Sequence, residues 1–95
     1  QITPKVRANV KARDANCCVC CGSPYRLEIA HYISRGSGGL GIEENLILMC
    51  RECHREFDQS GKREQYRNYL RSYLKLMYKN WDETKLTYKK GQTNG

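Results

Sequence analysis

Two Cys-x-x-Cys pairs constrain this chain more than any other feature in it. Six cysteines occupy positions 17, 18, 20, 21, 50 and 53, in two tight groups with 28 residues between them. A disulfide scaffold spreads its cysteines, whereas two knuckles brought together by a chain reversal supply the four soft thiolates of a tetrahedral zinc. The first group, CCVCC, offers either Cys17 with Cys20 or Cys18 with Cys21. Gly22 favours the second choice, because it follows Cys21 at a point where a knuckle turn commonly needs a positive φ. The expected ligands are therefore Cys18, Cys21, Cys50 and Cys53, with Cys17 and Cys20 left as packing residues or free thiols. A staple of this kind suits the length. The 95 residues, 39% of them apolar, make one small domain spanning 1–95, at a size where a hydrophobic core alone is marginal.

Charge narrows the partner. Seventeen Lys and Arg stand against ten Asp and Glu, a net +7. Four thiolates around one zinc contribute −2, which leaves the assembled domain at about +5, enough to favour a polyanion. No apolar run approaches the roughly 18 residues that span a bilayer, and no stretch pairs a basic face with an exposed Trp/Phe/Leu face. Nucleic acid is the expected partner, and membrane is not. The sequence shows no signal-peptide-like apolar stretch, so intracellular, cytoplasmic residence is the default expectation.

Along the chain, Thr3-Pro4 reads as an N-cap followed by Pro at the first helical position, which predicts a basic helix over about 4–14. Its Lys5, Arg7, Lys11 and Arg13 are candidates for phosphate contact. From Arg26 to Tyr32 the side chains alternate, with Leu27, Ile29 and His31 on the expected inward face and Glu28 and Ala30 on the other. Four glycines between Ser34 and Gly41 predict a loop without regular structure, whose Gly36, Gly38, Gly39 and Gly41 either let a phosphate backbone approach or simply turn. Leu46-Ile47-Leu48-Met49 forms the second strand of a long-loop hairpin and leads into a helix that stops at Gln59-Ser60-Gly61. A longer helix is predicted over about 62–79, its stripe of Tyr66, Leu70, Tyr73, Leu74 and Met77 spaced for packing rather than base stacking. Trp81, Leu86 and Tyr88 fold the following segment back onto a core made by residues 17–60, and the tail 89–95 is expected to fray.

The stretch from Glu28 to Asp58 holds the parts that phosphodiester hydrolysis requires: a base for water, a cation for the charge on the leaving oxygen, and a group that orients both. His31, at a strand end beside the Gly loop, is the candidate base. With a reference pKa near 6.5 it is mostly neutral at pH 7, and activity is expected to fall below about pH 6.5. Asn45, at the start of the opposite strand, can hold the loop backbone next to His31 through its amide. His54 can offer a ring nitrogen to a divalent ion, and Asp58 follows at i+4 on the same helix face. Arg35 beside the base is a candidate phosphate contact through its forked donors, or a solvated loop charge. Bland readings stand beside these: a lone strand His is usually structural, and His54 with three cysteines could itself complete the structural zinc.

His31, Asn45 and His54, at separations of 14 and 9 and flanked by Cys-x-x-Cys pairs, resemble the HNH endonucleases of the ββα-metal fold, and in particular the compact zinc-stapled kind of phages and prophages. The resemblance covers roughly residues 17–58, and the tail YLRSYLKLMYKNWDETKLTYKK is similar to the C-terminal region of phage-type members. It implies a small α+β fold, a ββα-metal motif with a four-cysteine zinc site, flanked by an N-terminal helix and a longer C-terminal one. It also implies that His31 is the general base, Asn45 the orienting residue and His54 a ligand of a catalytic Mg²⁺, Mn²⁺, Ni²⁺ or Zn²⁺. Cleavage of DNA, double-stranded by expectation, would leave 5′-phosphate and 3′-hydroxyl ends. Phage DNA-packaging proteins are then candidate partners.

One position departs from the family pattern. Many members carry a metal-binding Asp or His just before the base, whereas this chain has Ala30. The ion would rest on His54 and a second ligand. Asp58 is favoured, since an acid near a helix C-terminus is otherwise opposed by the macrodipole. Glu28, about 6–7 Å from Ala30 along the same face, ranks behind it, and a site completed by substrate phosphate is a further option. The rival reading is a non-catalytic zinc-stabilised module that binds nucleic acid or protein, with Ala30 marking a decayed site.

Overall fold

The computed structural model describes residues 1–88, so the tail expected to fray at 89–95 lies outside the described residues. Helix α1 (Pro4–Arg13) precedes strand β1 (Leu27–His31) and strand β2 (Leu46–Cys50). Helix α2 (Arg51–Gln59) and helix α3 (Arg63–Met77) follow, with short 3₁₀ turns at Arg35–Ser37, Glu43–Asn45 and Glu83–Lys85. This is a small α+β fold around a ββα unit. At the start of α1 the Thr3 hydroxyl accepts from the Val6 amide at 3.1 Å and Pro4 occupies the first turn, as the sequence predicts. The helix ends at Arg13, where Ala15 and Asn16 turn the chain through positive φ.

The two strands pair antiparallel, with Leu27 opposite Cys50, Ile29 opposite Leu48 and His31 opposite Leu46. Every residue of β2 is buried, because the two-stranded sheet is covered on both faces. On one side Leu46 and Leu48 pack with Val10 of α1, Leu27 and Ile29. On the other, Ala30, Tyr32, Ile47 and Met49 join Phe57 of α2 with Leu70 and Leu74 of α3. The sequence alternation named only the first face as inward. The second face is the larger core, and Glu28 shares it with Ala30, which aims that carboxylate toward α2.

A buried polar cluster ties α1 to the rest. Asp14, 6% exposed, accepts from the Leu48 amide at 2.9 Å, from both forks of Arg13 at 2.7 and 2.9 Å, and from the Tyr73 hydroxyl. Arg13 also donates to the carbonyls of Leu46 and Glu43 and to the Tyr78 hydroxyl. Its guanidinium is spent on this network, so Arg13 drops out of the phosphate contacts expected of α1. Lys5, Arg7 and Lys11 remain exposed.

The loop after β1 is more ordered than its four glycines suggest. The Leu40 amide donates to the Leu86 carbonyl at 2.9 Å, and Gly39 pairs with Thr87. The C-terminal segment folds back over this loop. The Trp81 indole donates to the Glu44 carbonyl at 2.8 Å and meets the Tyr32 ring edge-on at 5.6 Å, and Leu86 is buried. Tyr88 keeps its ring exposed, and Met77, at the end of the predicted apolar stripe, is also exposed. Beyond the buried Leu74, the final residues of α3, Lys75, Leu76 and Met77, are exposed. Among the described residues no helix is long and apolar enough to cross a membrane.

Candidate functional site

The four cysteines Cys18, Cys21, Cys50 and Cys53 bring their sulfurs within 4.8 Å of one another, and Cys21 and Cys50 approach to 3.6 Å. Tetrahedral zinc with bonds of about 2.3 Å separates its sulfurs by roughly 3.8 Å, so the group fits a structural metal such as zinc. The ambiguity of CCVCC resolves to Cys18 and Cys21, and Gly22 adopts the positive φ, +81°, that the turn requires. The knuckles share a local geometry. The Cys21 amide donates to the Cys18 sulfur and the Cys53 amide to the Cys50 sulfur, each at 3.4 Å, and the second of these bonds caps α2. Burial pushes the Cys18 thiol up, but amide donors from Cys50, Cys21 and Cys20 outweigh it and bring the group down to about 7. Cys20 is pushed up to about 12, by burial first and then by the charge of its cysteine neighbours, and stays a thiol. Cys17 is half-buried and unbridged.

His54 does not join the cysteines. It follows Cys53 in the first turn of α2 and turns its ring across the sheet face that carries Glu28. Glu28 Oε1 lies 2.7 Å from His54 Nδ1, and Asp58 Oδ2 lies 3.3 Å from Nε2. The Glu28 carboxyl is held below its ordinary range, chiefly by the His54 bond and further by Arg51 at 3.2 Å, against the opposing effect of burial. An ionised carboxylate only accepts, so Nδ1 carries the hydrogen in the neutral ring and Nε2 presents its lone pair toward Asp58. Two lone-pair donors aimed at one space favour a cation between them. Cis ligands on an ion with bonds of about 2.1 Å lie roughly 3.0–3.4 Å apart, which the His54–Asp58 spacing matches.

Spacing along β1 ranked Glu28 behind Asp58 because it measured the distance to Ala30. The relevant neighbour is His54, reached across the packing of α2 on the strand. Ala30 itself is 1% exposed, packed in the core opposite Ile47, and offers no ligand atom.

His31 ends β1 opposite Leu46, half-buried, with no hydrogen bond to its ring among the described residues. Burial pulls its pKa below the ordinary value, and the positive charge of Arg35 pushes the same way. The expected loss of activity below pH 6.5 moves accordingly to lower pH. Asn45, fully buried, accepts from the Ile33 amide at 2.8 Å and donates to the carbonyls of Ile33 and Leu40 at 3.1 and 2.9 Å. These bonds pin both ends of the Gly loop beside His31. Gly39 completes the fit: a Cβ there would lie 1.8 Å from the Ile33 carbonyl oxygen. Its role is close approach within the chain. Arg35 is exposed, near enough for its charge to act on the His31 ring.

Two clefts meet at Asp58. One, of about 140 Å³, is lined by His31, Ser34, Ser37, Asp58, Arg63 and Arg67. The other, of about 420 Å³, is lined by Glu28, Arg51, His54, Arg55 and Asp58. His31 and the His54–Asp58 pair therefore border one continuous surface, and arginines flank it on both sides. Arg63 and Arg67 escaped the sequence reading because α3 shows there only as a basic helix face. Their i, i+4 spacing near a helix start was the available signal.

No curated protein matches the chain. Residues 18–59 match the family model described as HNH endonuclease, a segment that begins at Cys18 and ends with α2. Over that segment, somewhat under half of its length, the chain is similar to the HNH endonuclease family.

Proposed function

We propose that this protein is a metal-dependent DNA endonuclease whose catalytic group is His31. The observation that carries the reading is Asp58, which lines one cleft with His31 and lies 3.3 Å from His54 Nε2. A base and a cation-binding pair thus border the same surface. On this reading the neutral His31 ring takes a proton from water positioned in the cleft, and Asn45 keeps the following loop in place. Glu28 positions His54 through Nδ1, which leaves Nε2 and Asp58 Oδ2 as the protein ligands of a divalent ion such as Mg²⁺, Mn²⁺, Ni²⁺ or Zn²⁺. That ion, when bound, supplies positive charge for the scissile phosphate and the leaving 3′ oxygen. With only two protein ligands the site depends on phosphate and water for the remaining positions. Zinc among the four cysteines is structural, since a closed tetrahedral site has no open position.

Double-stranded DNA is the proposed substrate, because arginines rather than exposed aromatic rings border the clefts. A phage or prophage setting, with DNA-packaging proteins as partners, belongs to the same proposal and rests on the resemblance of the C-terminal region. Plasmid relaxation with added Mg²⁺, Mn²⁺ or Ni²⁺ tests the activity. Cleavage leaving 5′-phosphate ends, lost in His31→Ala while DNA binding persists, supports it. If wild type and His31→Ala were equally inert with every metal, the non-catalytic zinc-stabilised module would be the better description.

A further inference from the structure

We propose that α3 adds a second phosphate site, in which Arg63 and Arg67 with the Ser34 and Ser37 hydroxyls hold the DNA backbone phosphate next to the one attacked beside His31. The inference deepens the nuclease reading and rests on it for the identity of the neighbouring group. Helix α3 lies outside the segment that matches the HNH family, so nothing in that match assigns its residues.

Arg63 and Arg67 are one helical turn apart and line the same cleft as His31. Neither has a carboxylate to itself where it stands. The Arg63 guanidinium donates to the Asp58 carbonyl at 2.7 Å and the Phe57 carbonyl at 3.3 Å, at the C-terminal end of α2. Carbonyls orient the fork without cancelling its charge. The Arg67 guanidinium sits 4.9 Å over the Tyr32 ring, and its carboxylate partner, Glu83, lies 3.7 Å away and is shared with Arg71 at 3.4 Å. One carboxylate thus serves two guanidiniums. The Ser34 and Ser37 hydroxyls bond each other at 3.2 Å at the exposed rim. Forked donors held in position and left with net positive charge match the recognition of a phosphodiester oxygen pair. Asp58, on the boundary of the cleft, opposes an anion by itself, so the phosphate belongs toward the Arg67 end.

The test uses the full chain carrying His31→Ala, so that bound DNA is not cut, and a fluorescent mixed-sequence duplex whose affinity is measured against salt concentration. Adding Arg67→Gln, at a partly exposed side chain, is expected to weaken binding regardless of sequence and to lower the salt slope by about 0.9, the contribution of one neutralised phosphate. Arg67→Lys should restore most of the slope. Arg63→Lys, which keeps the charge and loses the fork, should keep the slope and lose affinity. Unchanged affinity and slope in Arg67→Gln, with zinc content and circular dichroism intact, overturns the proposal, as does a parent that binds no duplex at low salt. A parent that binds and shows the Arg67 effect, from a wild type that never cleaves, would overturn the nuclease reading and leave the phosphate site standing.

Discussion

Glu28 Oε1 and His54 Nδ1 lie 2.7 Å apart, joining the start of β1 to the first turn of α2. That bond sets which ring nitrogen faces Asp58, so on the proposed function Glu28 positions His54 for the ion and is not itself a ligand. Carboxylates in this position typically raise metal affinity or activity about 10–100-fold. Glu28→Gln is therefore expected to shift the metal concentration for half-maximal cleavage upward by a factor in that range. Duplex binding without added divalent ion, with the cysteine-bound zinc retained, should stay the same. A metal titration of plasmid relaxation checks this, and an unshifted curve would remove Glu28 from the positioning role.

The pH profile should extend further into acid than an ordinary histidine allows. Burial and the charges around His31 disfavour its imidazolium, so the ring stays neutral, and able to accept a proton, below pH 6.5. Activity is present above the lowered pKa and lost as pH falls through it. Arg35→Ala removes one of the secondary causes and should move the midpoint back toward 6.5. The rate of cleavage at saturating metal, measured across pH, decides the matter. A wild-type midpoint at or above 6.5 would show that another group limits the rate.

Metal removal should unfold the domain. The two knuckles join the loop before β1 to the β2–α2 junction, and binding free energy at a structural zinc site is folding free energy, on the order of 10 kcal/mol or more. Cys50→Ser is expected to give an unfolded chain without zinc. Cys17→Ser and Cys20→Ser should each retain one zinc per chain with a near-native melting temperature. His54→Ala should also stay folded, because its ring lies with Glu28 and Asp58. Zinc content and thermal melts by circular dichroism separate these outcomes.

Two glycines in one loop should behave oppositely. A Cβ at Gly39 would meet the Ile33 carbonyl oxygen at 1.8 Å, whereas a Cβ at Gly36 meets nothing within 4 Å. Gly39→Ala must displace the carbonyl that Asn45 holds, and is expected to cost about 1–3 kcal/mol and most of the activity. Gly36→Ala should fall within about 0.5 kcal/mol of wild type. Denaturant unfolding together with plasmid relaxation gives both numbers.

Asp14 should rank among the most destabilising polar positions. Replacing it by Ala leaves Arg13 buried without its carboxylate and strips an acceptor from the Leu48 amide and the Tyr73 hydroxyl. Breaking a buried pair from one side costs about 3–5 kcal/mol. Urea unfolding of Asp14→Ala is expected to show a loss of that size, and a loss under about 1 kcal/mol would mean that water replaces the carboxylate.

Local signals carried much of the architecture. Thr3-Pro4 marked the start of α1, the apolar run from Leu46 marked β2, and the Gln59-Ser60-Gly61 stop separated α2 from α3, because caps, turn residues and periodicity act within a few residues. The ligand cysteines were narrowed to two alternatives for the same reason. Strand alternation was less informative in β1. It names two faces but not what covers each, so the larger core against Ala30 and Tyr32 stayed hidden, and with it the contact of Glu28 with His54. Arg13 illustrates the same gap: on a helix wheel it is one more basic residue, and only the approach of α3 and β2 shows it to be buried.

By itself, then, the sequence determined the order of the elements, the two cysteine knuckles and the spacing of His31, Asn45 and His54, all of which depend on neighbours along the chain. The tertiary structure decided which ring nitrogen of His54 faces Asp58, how far the pKa environment of His31 departs from water, and that α3 brings Arg63 and Arg67 into the His31 cleft. Those outcomes depend on distances between segments far apart in the chain, set by packing on both faces of the sheet, and no local pattern encodes them.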